Sequence, residues 1–107
     1  MIRADFLSLP DGRLLGFRLC GHAGWGEEGT DIVCAAVSSA AYLVANTATD
    51  VLGVTPLSLR VAEDSMLLRL EERDEPACRN LLRGLRLHLC GLEEQYPAHI
   101  KVSYLEI

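Results

Sequence analysis

Residues Pro10 to Cys34 read PDGRLLGFRLCGHAGWGEEGTDIVC, and this stretch decides how the chain is organised. Pro10-Asp11-Gly12 is a turn with a mechanism, because proline presets φ and glycine accepts a positive one. From Arg13 to Cys20 an alternation follows: Leu15, Phe17 and Leu19 share one face, and Leu14, Gly16 and Arg18 take the other. Before the turn, Ile2 to Leu9 alternates as well, so the two stretches predict a hairpin. After Cys20 the pattern breaks. Gly21 to Gly29 holds Gly21, Gly24, Gly26, Gly29 and the only tryptophan, Trp25, and is expected to be a loop. Thr30 or Asp31 then has the chemistry of a helix N-cap. A helix is expected from about Ile32 to Leu52, stopped at Gly53.

Working outward, Thr55 to Val61 and Ser65 to Leu70 read as two more strands joined around Ala62-Glu63-Asp64. Pro76 suits the first turn of a second helix, with Asp74 and Glu75 near its positive end. That helix is expected to reach about Gln95. Cys78, Leu82, Leu85, Leu89 and Leu92 fall on one stripe, and Arg79, Arg83 and Arg86 on the other side. Pro97 ends it, and His99 to Glu106 is a last strand. The order β-β-α-β-β-α-β predicts an α+β fold, a single two-layer domain (1–107) with two helices on a small mixed or antiparallel sheet.

The composition narrows the classes. The chain has 107 residues, 50% hydrophobic and 23% charged, which suits one globular domain and excludes a disordered or fibrous chain. Fifteen acids against 10 bases give a net charge of −5, which argues against direct nucleic-acid binding and for a basic partner. The longest weakly polar stretch, Ile32 to Ala48, falls short of about 20 apolar residues, so no membrane span is expected. Nothing at the N-terminus reads as a signal peptide, and the expected location is the cytoplasm. Cys20, Cys34, Cys78 and Cys90 are then expected to be thiols. The first helix carries almost no charge, so it needs a second apolar surface. A homodimer through that helix would supply one.

The chemistry concentrates between Cys20 and Cys34. With Asp31 as N-cap, Cys34 would be the third helical residue, where free amides and the helix dipole favour a thiolate. A cysteine among Ile32, Val33, Ala35 and Ala36 is more often core packing than chemistry. His22 changes the balance. A histidine beside glycines just past a strand has little apolar reason to be there, and it can serve as general base toward a nearby thiol. Asp31 can orient that imidazole or cap the helix; one carboxylate does not easily do both. Cys20, His22 and Cys34 offer three soft metal ligands where structural zinc wants four, so no metal is assigned. The glycine run is no phosphate loop, lacking Gly-Lys-Ser/Thr, and no cofactor is expected.

Gly21-His22-Ala23, the glycine-containing loop and Asp31-Ile32-Val33-Cys34-Ala35-Ala36-Val37-Ser38 closely resemble the signature of the Prp family, the bacterial ribosomal-processing cysteine proteases. Asn46, the run into Leu85 and Tyr96-Pro97 fit the same pattern. The resemblance implies a small homodimeric α+β endopeptidase. Its substrate would be the precursor of large-ribosomal-subunit protein twenty-seven, which in certain bacteria carries a short N-terminal extension. Carried over, the nucleophile falls on Cys34 and the general base on His22; Asp31 matches a motif position. The resemblance also implies that the loop with Gly21, Gly24, Trp25, Gly26 and Gly29 closes over the peptide. Two alternatives stand beside it: a non-enzymatic ribosome-associated adaptor of the same fold, and a small metal-binding domain.

Overall fold

The computed structural model describes residues 1–21 and 28–107, with residues 28–31 as backbone only. The elements run β1 (Ile2–Ser8), β2 (Leu14–Cys20), α1 (Glu28–Asn46), β3 (Ser58–Ala62), β4 (Ser65–Arg69), α2 (Glu75–Gln95) and β5 (Ile100–Glu106). A π-helical turn, Thr47–Val51, extends α1, and a 3-10 turn, Glu72–Asp74, leads into α2. The five strands form one mixed sheet in the order β3-β4-β2-β1-β5. Only β1 and β5 pair in parallel; the other neighbours are antiparallel.

The period-2 alternation sorts side chains onto two faces. Ala4 pairs with Leu19, Phe6 with Phe17 and Leu19 with Met66, and all of these enter one core. Both helices cover that face. From α1, Val33, Val37, Ala41, Val44 and Ala45 join the core, with Ala48 from the π-helical turn that extends it; from α2, Cys78, Leu82, Leu85 and Leu89 do. The stripe read along α2 is therefore the buried one, with Leu92 packed at its margin. A side chain such as Phe6 or Leu68, with no exposed surface, contributes about 2–3 kcal/mol by burial.

Two glycines hold the sheet's geometry. Gly16 has φ +150°, and a Cβ there would lie 1.8 Å from the Leu68 carbonyl oxygen on β4. Gly21 has φ +92°, and its Cβ would lie 2.5 Å from the Met1 carbonyl oxygen. Neither position takes a side chain without moving backbone.

Two expectations change. The helix begins at Glu28, not near Ile32, so Thr30 and Asp31 lie inside it and neither is its N-cap. Gly29 belongs to the helix instead of the loop. Glu28 and Asp31 are residue types the first turn favours, so the local signal for a helix start is spread over four residues. The second change concerns length. Ile32–Val51, 20 residues, is long and apolar enough to cross a membrane by length and composition. In the fold its inner face is the core face of α1, and 33% of the stretch is buried there.

Candidate active site

A cavity of about 360 Å³ opens at the end of the sheet where β2 runs out. The first helix supplies Cys34, Val37, Ser38 and Tyr42; β1 and β2 supply Ile2, Leu19 and Cys20, with Gly21 just past β2. The β3–β4 hairpin closes the far side with Ala62, Glu63, Asp64, Ser65 and Met66. Cys34, Ser38 and Tyr42 are four residues apart, so a single helix face presents them. That spacing was readable in the sequence. The hairpin wall was not, because it depends on β4 pairing with β2.

The four thiols occupy different environments, and the described residues contain no disulfide. Cys78 is fully buried on α2, and burial, then the Asp74 and Glu75 carboxylates, push its thiol up from the usual range. Cys90 is half-buried on the same helix. Cys20 pairs with Arg3 and Ser65, on the face of the sheet turned away from the helices. Cys34 is half-buried, packed at the margin of the core, and stands on the helix side of the cavity. It is the seventh residue of α1, in the second turn. The free first-turn amides expected around it, on the premise of a cap at Asp31, belong to the preceding turn.

His22, Gly24, Trp25 and Gly26 lie outside the described residues, as does the side chain of Asp31; Gly29 is described as helix backbone. Gly21, the residue before His22, lines the cavity, and its backbone is held between β2 and the Met1 carbonyl. No group of three metal-ligating side chains occurs among the described residues. Neither His88, on α2, nor His99, before β5, lines the cavity, although the His99 carbonyl accepts a hydrogen bond from the amide of Ile2, which does.

The comparisons agree with this geometry. The pattern of the family "Cysteine protease Prp" matches residues 1–101. The ribosomal processing cysteine protease Prp of Bacillus subtilis is 30% identical over 109 residues, 96% of either chain. SMU.848 from Streptococcus mutans superposes with TM-score 0.86 at 30% identity, covering 100% of this chain and 96% of that one. The Staphylococcus aureus ribosomal processing protease Prp, solved with a substrate peptide, superposes with TM-score 0.87 at 23% identity, covering 98% and 100%; at that identity it speaks for the fold. With the family pattern running from β1 into β5 and a thiol standing in the cavity between helix and hairpin, the chain belongs to the Prp family and is a cysteine protease.

Proposed function

We propose that this protease removes the N-terminal extension of the precursor of large-ribosomal-subunit protein twenty-seven, with Cys34 as nucleophile and His22 as general base. The observation that carries the choice of Cys34 is its place: of the four thiols, it alone combines the helix face with the cavity lining. The name of the B. subtilis relative supports the choice of substrate class. An acidic chain facing a basic ribosomal protein adds complementary charge.

The Cys34 Sγ attacks the scissile carbonyl carbon while His22 takes the thiol proton. The tetrahedral intermediate collapses, the C–N bond breaks, and His22 gives the proton to the leaving amine. A water then attacks the thioester, His22 accepts its proton, and the acid product leaves as the thiol re-forms. The 360 Å³ cavity is large enough for a few side chains of an extended peptide, not for a folded domain. The substrate segment is therefore an unstructured extension.

The protein acts in the cytoplasm as a homodimer formed through α1. Supporting the dimer, Ile32, Tyr42 and Leu43 are exposed at 61%, 44% and 67%. A second, apolar groove between α1 and α2, about 590 Å³, is lined by Ala36, Ala40, Leu43, Leu81 and Leu85 with His88 at its side. The test is incubation with the host's own precursor beside Cys34→Ala and His22→Ala, read as the N-terminal mass. One cut near the N-terminus, lost in both variants, supports the reading. An uncut precursor with folded, reduced protein overturns the substrate.

A further inference from the structure

The face of the sheet that carries no helix differs from the rest of this acidic molecule. The register places Arg3, Arg18, Arg60, Arg69 and Lys101 on it, five of the chain's 10 basic residues. Among the described strand positions of that face a single carboxylate, Asp5, opposes them. Asp5 is buried and committed, accepting hydrogen bonds from Arg18 and Ser103. Arg3, Arg60, Arg69 and Lys101 have no ion-pair partner among the described residues. All but Arg69 are exposed, and the Arg69 Nε is a buried donor with no acceptor. Glu63 and Asp64 stand at one corner, lining the cavity.

A net charge of −5 therefore hides a cationic plane. Its field favours a polyanion within a Debye length, about 8–10 Å. A second copy of this chain does not fit, because a two-fold interface would set cations against cations. Among the described residues the plane has no stacking platform: Phe6, Phe17 and Tyr104 lie in the rows of the helix face. Contact would then go to the phosphodiester backbone and not to unstacked bases. Among the described residues no helix or ribbon projects from the plane to enter a B-DNA major groove, whereas the wide, shallow minor groove of A-form RNA accepts a flat surface.

We propose that the helix-free face of the sheet docks this protease on duplex RNA through its phosphate backbone, leaving the cavity at the sheet's end open to a peptide. The choice of RNA over other polyanions rests in part on the ribosomal-precursor reading above. RNA affinity does not involve Cys34, so Cys34→Ala binds RNA as the native protein does, and failure of one reading is distinguishable from failure of the other.

The experiment is fluorescence anisotropy of the full chain with a labelled RNA duplex of about 16 base pairs, across a salt series. Four unpaired cations predict a slope of about −3 to −4 in log K against log salt. The Arg3→Glu/Arg60→Glu/Lys101→Glu variant is expected to lose at least tenfold in affinity and to fall to a slope of about −1. Arg83→Glu on α2 is expected to change neither. Should the triple variant fail to fold by circular dichroism, Arg60→Glu/Lys101→Glu reports on the same face. Unchanged affinity in the sheet variants, an equal loss in Arg83→Glu, or tighter binding to B-DNA or to anionic vesicles would each overturn the proposal.

Discussion

Residue identity matters most where backbone leaves no room. Gly21→Ala forces a methyl toward the Met1 carbonyl at a positive φ, beside the cavity. Strain there costs about 1–3 kcal/mol, and any relief moves the chain that leads into His22. The expected outcome is a Tm lower by several degrees with kcat/KM reduced more than stability alone would require; full activity at a lowered Tm would contradict it. Among the thiols, Cys78 is the one that burial and the neighbouring carboxylates hold protonated. It is expected to alkylate last with iodoacetamide at any pH at which the protein stays folded, and peptide mapping after timed quenches checks the order.

The β1–β2–β5 part of the sheet is tied across its outer face by Asp5. Burial raises this carboxyl, but the hydrogen bonds from Ser103 and Arg18 outweigh that and hold it below the usual 3.8. A depressed carboxyl stabilises the fold above the unfolded value and ceases to do so as pH falls through the folded one. Native stability is therefore expected to drop as pH falls below about 4, with a flatter dependence in Asp5→Asn over the same acid range, seen in urea midpoints. Asp5→Ala, which leaves Ser103 and Arg18 without their acceptor, is expected to cost about 1–3 kcal/mol at neutral pH. At the start of α2 a second buried carboxylate, Glu75, is 1% exposed and takes two hydrogen bonds from Arg79, at 2.9 and 2.6 Å. That pair lies one turn apart and closes the helix over the 3-10 turn before it.

For the whole molecule, assembly and charge separation go together. The helices offer an apolar outer surface at Leu43 and the α1–α2 groove, while the opposite side of the sheet is cationic. Association through the helices would leave both cationic planes facing outward. Leu43→Asp is expected to convert the proposed dimer to a monomer in light scattering after size exclusion, with little change in the near-ultraviolet spectrum of the core. A native protein that is monomeric at tens of micromolar would remove the dimer from the proposal.

Much of this architecture is a property of short stretches of chain. The alternation in Ile2–Ser8 and Leu14–Cys20, the turn at Pro10-Asp11-Gly12, the stripe from Cys78 to Leu89 and the stop at Gly53 (φ +69°) are local signals, and the elements follow them. Cys34 was singled out in the sequence for an expected place in the first helical turn beside His22; the structure puts it in the second turn of α1, on the cavity wall. Other features depended on residues far apart in the chain. The start of α1 slid to Glu28 because four consecutive positions offered acceptable beginnings. The hairpin wall of the cavity exists only because β4 pairs with β2, about 50 residues away, and β5 returns to lie parallel to β1. The sorting of charge onto one face followed from those pairings, which no composition records. Local propensity and period determine which elements form; the tertiary structure alone decides which of their faces meet, because burial is shared between segments that the sequence keeps apart.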